Sequence, residues 1–94
     1  MSTRLFALLL TALTLQAQTT TVYGIITNRA RRPAIHLLVS IARKIAYTDD
    51  SGRYRIDGVP SGRQKMVISS QGKVFLETDV KLDGPQQRID RQIP

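Results

Sequence analysis

The stretch Thr48–Gly62, T-D-D-S-G-R-Y-R-I-D-G-V-P-S-G, decides the fold. At its centre Arg53-Tyr54-Arg55-Ile56 alternates charged and apolar residues, so Tyr54 and Ile56 are the inward residues of a short strand. Ahead of it, Asp49-Asp50-Ser51-Gly52 is the strongest turn signal of the chain. Asp and Ser side chains bond nearby backbone amides, and Gly52 accepts a positive φ. Behind it, Asp57 to Gly62 reads as a second break, with Pro60, which cannot donate to a ladder, outside any central strand.

Working outward, the same grammar repeats. Thr20 to Thr27 is rich in β-branched residues and predicts a first strand, with Val22 and Ile26 on one face and Gly24 between them where another backbone can approach closely. Asn28 to Pro33 is a polar turn. A second strand runs from about His36 to Ala42, with Val39 and Ile41 sharing a face. Arg43 and Lys44 mark a tight reversal into a third strand, Ile45 to Thr48. Lys65 to Ser70 predicts a fifth strand with Met66 and Ile68 inward, turned at Gln71-Gly72. Lys73 to Leu82 predicts a sixth, with Val74, Leu76, Val80 and Leu82 expected in the core and a bulge expected near Glu77 to Asp79. Asp83-Gly84-Pro85 ends it. Gln87 to Ile93 reads as a last, polar edge strand open to pairing with another chain, with Arg91 in an inward position. No segment repeats the apolar spacing of an amphipathic helix, so the chain is all-β, and seven short strands at this spacing suggest a sandwich.

The N-terminus has a different character. Arg4 and the apolar run Leu5 to Leu15 form the charged and hydrophobic regions of a secretory signal peptide, and small Ala17 precedes the expected cut. The apolar run is shorter than the ~20 residues that span a bilayer. The expected division is therefore residues 1–17 as signal peptide and residues 18–94 as one β-sandwich domain. With 77 residues left of 94 and no cysteine, its stability comes from burial and the ladder alone.

The formal charge of +7 is strongly basic and favours contact with polyanions. Export argues against nucleic acid as partner. The candidate contacts for an anionic glycan or lipid are the loop residues Arg29, Arg31 and Arg32, with Arg43 and Lys44. With three Tyr and two Phe, one of these in the leader, there is little aromatic interleaving for stacking on bases.

Catalytic chemistry lacks its parts. His36 is the one histidine, so a Ser/His/Asp triad has a single possible centre, and no G-x-S-x-G motif supplies a nucleophile. A zinc site needs more His or Cys ligands than this chain holds. Asp49, Asp50 and Asp57 invite a calcium reading, but the other ligand positions of a calcium loop are missing and Arg53 and Arg55 oppose a cation. No cofactor is expected.

Taken in order, Val22 to Ile26, Arg32-Pro33 with Val39 to Ile41, Thr48 to Ile56, Gly58 to Gly62 and Ile68 to Gly72 resemble the carboxypeptidase regulatory-like domains. That resemblance implies a transthyretin-like or Ig-like, seven-stranded Greek-key sandwich with no catalytic residue of its own. Such domains stand beside zinc carboxypeptidase domains, in cell-surface proteins and at the N-terminus of TonB-dependent outer-membrane receptors. The expected role is a non-catalytic exported accessory or protein-interaction module, periplasmic, outer-membrane-associated or secreted. The alternatives are the leading domain of a longer receptor or surface protein, contacting a downstream domain, and a binder of anionic glycan or lipid. Departures from the pattern are Arg32 for a glycine, the bulky Ile35, His36 and Leu37 after the proline, Gln64 for an aromatic, and Arg91 for an apolar residue. The transthyretin-like hydrolase of purine breakdown is set aside, because it needs several histidines and a characteristic C-terminal tetrapeptide, whereas this chain ends Arg91-Gln92-Ile93-Pro94.

The leader yields the first prediction. N-terminal sequencing of the exported protein is expected to begin at Gln18, and an exported product still carrying residues 1–17 would refute cleavage.

Overall fold

The computed structural model describes residues 18–94, so the leader assignment lies outside the described residues. Strands β1 (Thr19–Thr27), β2 (Leu38–Ile41), β3 (Lys44–Tyr47), β4 (Arg53–Pro60), β5 (Gly62–Ser70), β6 (Lys73–Leu82), β7 (Gln86–Arg88) and β8 (Arg91–Gln92) follow one another, and no helix occurs among the described residues. One sheet is ordered β4-β1-β7, with β8 also pairing β1. The other is β3-β2-β5-β6. The chain changes sheets between β1 and β2, β3 and β4, β4 and β5, and β6 and β7. The result is the Greek-key sandwich expected, with its final strand split in two.

Period-two alternation builds the core. Val22 and Ile26 of β1, Val39 and Ile41 of β2, Tyr54, Ile56 and Val59 of β4, Met66 and Ile68 of β5, and Val80 and Leu82 of β6 all turn inward and are buried. Each fully buried Val, Ile or Met side chain contributes on the order of 1.5–3 kcal/mol.

Several local expectations change. β2 begins at Leu38 and stops at Ile41 because His36 (φ 56°) and Ala42 (φ 51°) sit in the left-handed region, where no strand continues. The β2–β3 reversal is Ala42-Arg43, both with positive φ as a two-residue primed turn requires, and Lys44 is already in β3. Thr48 leaves the ladder: its buried hydroxyl donates to Ala34 O (2.7 Å) and accepts from Leu37 N (2.9 Å), tying down the loop ahead of β2. Asp57-Gly58 is a bulge rather than a break. Thr20 pairs Val59 while Val22 pairs Ile56, so β4 carries one extra residue and runs on to Pro60. β4 lies at a sheet edge, where proline is tolerated.

In β6 the bulge lies earlier than Glu77 to Asp79. Ile68 pairs Leu76 and Ser69 pairs Val74, which leaves Phe75 as the extra residue. This shift of phase turns Val74 out, 55% exposed, while Leu76 stays half-buried on the inward side.

The C-terminal segment departs most. It is not one continuous polar strand, and Arg91, paired with the inward Ile26, is half-buried between two buried isoleucines. β7 and β8 both run parallel to β1, and the inward positions are filled by Ile89 and Ile93. Arg91 is half-buried and turns its guanidinium back to Asp90 O (2.9 Å). The seating of Ile89 is specific. Its amide donates to Tyr23 O (2.8 Å), and its carbonyl accepts from the buried Tyr54 hydroxyl (2.6 Å). A Cβ on Gly24 would fall 2.7 Å from the Ile89 carbonyl carbon. Gly24 is thus the close-approach glycine that the first strand predicts. Burial first, and the Asp90 carboxylate second, raise the Tyr54 pKa well above the ordinary tyrosine value, so the hydroxyl keeps its proton and remains a donor.

Tyr54→Phe is expected to lower stability by about 1–3 kcal/mol, the penalty for a buried carbonyl left without its donor. Gly24→Ala is expected to lower it further by displacing Ile89. Thermal unfolding reads both. Hydrogen exchange of the Gly24→Ala protein should show loss of protection concentrated in residues 86–93, and an unchanged pattern there would contradict the assigned contact.

Candidate functional site

The inward face of the β4-β1-β7 sheet is spoken for, so its outward face is where chemistry is available. Because Val22, Gly24 and Ile26 point in, Tyr23 and Ile25 point out. Because Tyr54 and Ile56 point in, Arg53 and Arg55 point out. The register then sets neighbours: Tyr23 pairs Arg55 on one side and Arg88 on the other, while Ile25 pairs Arg53. Arg55, Tyr23 and Arg88 form one row across three strands, with the two arginine Cα atoms about 10 Å apart at a strand spacing of about 4.8 Å. Arg53 stands two residues along β4 on the same face. Ala46 and Tyr47 of β3, from the edge of the second sheet, close the other side. Together with the backbone of Gly24 these residues line a cleft of about 500 Å³.

The cations of the cleft are only partly neutralised. Arg55 Nε donates to Asp57 (3.0 Å), and Arg88 Nε donates to both Asp90 carboxylate oxygens (3.1 and 3.2 Å). Among the described residues the terminal guanidinium nitrogens of Arg55 and Arg88, and the whole guanidinium of Arg53, have no hydrogen-bond partner in the protein. The same holds for the Tyr23 and Tyr47 hydroxyls, on side chains 39% and 65% exposed. The pairs are solvent-exposed and contribute little to stability. They orient the arginines.

The carboxylates at the rim have other duties. Asp49 Oδ1 accepts from Ser51 N (2.8 Å) and Arg53 N (2.9 Å), closing the turn into β4. Those two bonds, the one from Arg53 first, hold its pKa below the ordinary value. In this turn Gly52 (φ 74°) fits against Ile26 O and Pro33, where a side chain would clash. The bond from Arg55, then that from Thr21, lowers the Asp57 pKa in the same way. Asp50 faces His36 Nε2 at 3.2 Å, both exposed. The three aspartates therefore address three separate partners, and no group of three His, Cys, Asp or Glu side chains with metal-holding geometry occurs among the described residues. His36 lies in the loop before β2 rather than within the strand, and its imidazole bonds no hydroxyl.

The loop cations are not brought together. Asn28 caps its own loop, accepting from Ala30 N and Arg32 N through its side chain, and leaves Arg29, Arg31 and Arg32 exposed. Arg43 and Lys44 are exposed at the opposite end of β2, about 10 Å of strand away, with Lys44 beside Gly58. None of the five lines the cleft. The residues that do, Arg53, Arg55, Arg88, Tyr23 and Tyr47, are not singled out as contacts by the sequence. The alternation of Arg53-Tyr54-Arg55-Ile56 carries a signal for two of them. Arg88 needs the parallel pairing of β7, which no local pattern announces.

Compared with known proteins, no protein-family model matches the chain, and no curated protein matches it. Among solved structures it is similar to a chain of a type II cohesin–X-dockerin complex from Acetivibrio cellulolyticus, a C-terminal interface mutant, with 20% identity and a TM-score of 0.59. The similarity covers 77% of this chain and 52% of that one, so this chain matches about half of the other's length. At that identity the likeness is one of fold, an all-β sandwich of the Ig-like kind.

Stability at low pH follows from the lowered aspartates. Their unfolded-state pKa is higher than their folded one, so the unfolded chain takes up protons first as pH falls. The stabilisation is present above about pH 4 and disappears as pH drops through the folded values. Acid unfolding of the Asp49→Ala protein is expected to be shallower than that of the native chain below pH 4. Superimposable pH profiles would rule Asp49 out as a source.

Proposed function

We propose that the chain is an exported, non-catalytic β-sandwich of the carboxypeptidase regulatory-like type that binds another protein through the cleft between β3 and the outward face of the β4-β1-β7 sheet. The observation that carries this reading is the cleft itself. Three outward arginines and two tyrosines with unused hydrogen-bonding groups converge there, while the buried polar side chains are satisfied internally. Tyr and Arg are the residue types that concentrate binding energy in protein interfaces. A second support is that a solved structure with this fold comes from a cohesin–X-dockerin complex, an assembly of protein with protein. Contact with glycan or lipid through the five loop cations has less behind it, since their two groups stand at opposite ends of β2.

Site-specific photo-crosslinking in the producing cell tests the reading. A photoreactive residue in place of Tyr47, at the cleft, is expected to trap a protein partner, whereas one at Gln71, in the exposed β5–β6 turn, traps none. Absence of any protein adduct at position 47 would overturn it.

A further inference from the structure

The chemistry of the cleft names its ligand class. Resting on the reading of the cleft as a protein-binding site, we infer that it receives an extended acidic segment of the partner, whose carboxylates meet Arg53, Arg55 and Arg88 while its apolar side chains lie against Tyr23, Ile25 and Tyr47.

The geometry of the arginines carries this first. The Asp57 and Asp90 contacts use the Nε of Arg55 and Arg88, so they fix each guanidinium while its terminal nitrogens stay available. A paired set of terminal N–H groups suits a carboxylate, which accepts two parallel bonds from one guanidinium. Arg53 makes no ion pair among the described residues, although the Asp49 carboxylate lies in the same cleft, and it is the strongest candidate for a direct ion pair. The spacing is that of an extended chain: Arg53 and Arg55 are two residues apart on one face of β4, about 6.8 Å at 3.4 Å per residue, which is the repeat of alternate side chains in an extended peptide.

The apolar fraction separates a peptide from a sulfated glycan or an anionic lipid surface. Ile25, Ala46 and the two tyrosine rings lie among the arginines in a hollow of about 500 Å³. A polyanion tracking charge alone would favour a continuous basic stripe, and the loop cations do not extend the cleft into one. Alternating carboxylate and aliphatic side chains satisfy both parts of the lining. β4 is also an edge strand, paired only to β1; Asp49 takes the N–H and C=O of Arg53, and the backbone groups further along the strand are left to meet an extended segment. The positive net charge steers an acidic segment toward the protein.

Fluorescence anisotropy with a labelled octapeptide of alternating Glu and Leu, titrated with the purified chain, is the test. Saturable binding is expected. It should weaken at least tenfold in Arg53→Glu and in Arg88→Gln and remain within twofold in Arg63→Glu, which makes the same charge change as Arg53→Glu outside the cleft. Replacing Glu by Lys in the peptide should abolish binding. Circular dichroism of each variant establishes that the sandwich is intact, as is expected for side chains this exposed. Two outcomes would overturn the inference: equal loss of binding in Arg63→Glu, which would mean non-specific charge attraction, or a heparin fragment that binds the cleft with the same variant pattern while the peptide does not. If the peptide fails but the crosslink at position 47 persists, the acidic-segment inference falls and the protein-binding reading stands.

Discussion

The seat of the Ile89 carbonyl, held by the buried Tyr54 hydroxyl over the bare backbone of Gly24, is the contact on which the rest of the sandwich depends. It joins three strands of one sheet at one point. β1 contributes the missing Cβ, β4 the hydroxyl, and the C-terminal segment the carbonyl. With Ile89 seated, β7 and β8 take their parallel places along β1, and Ile89 and Ile93 close the core at that edge. The parallel ladder to β1 and the burial of Ile89 and Ile93 hold the segment along its length. The buried hydroxyl must find a partner, and it finds the Ile89 carbonyl.

The same contact creates the candidate site. Once Ile89 points in, alternation turns Arg88 out, beside Tyr23 and across from Arg55. The cleft is therefore the outward image of the core: Arg53 and Arg55 are outward because Tyr54 and Ile56 are inward, and Tyr23 because Val22 and Gly24 are. Its partial neutralisation follows from short-range geometry. Asp57 and Asp90 stand two residues beyond Arg55 and Arg88 on the same face and reach their Nε atoms, which aims the guanidinium groups without using them up.

Legibility in the sequence followed the range of the interactions. The turn at Asp49 to Gly52, the inward pairs Val39–Ile41, Tyr54–Ile56 and Met66–Ile68, and the close approach at Gly24 are local or period-two features, and they stand where the pattern puts them. Val74 shows how the pattern fails: one extra residue at Phe75 reverses the phase of everything before it, and nothing in Lys73-Val74-Phe75-Leu76 marks the bulge. The final strand fails for a related reason. Ile89 and Ile93 are four apart, on one face of a strand, but the charged Arg91 between them hides the pattern, and their burial depends on the parallel pairing with β1. The five loop cations look clustered along the chain, but β2 carries them to opposite ends.

By itself the sequence determined an all-β chain of short strands, the faces of most of them and the turns between them, because these rest on side-chain alternation and on the backbone preferences of Asp, Gly and Pro. Tertiary structure decided which strands became neighbours, and so which outward residues met. Arg53, Arg55, Arg88, Tyr23 and Tyr47 come from four strands of two sheets, and no spacing along the chain encodes their convergence. It arises from sheet register, which rests on non-local contacts, among them the fit of the Ile89 backbone between Gly24 and Tyr54.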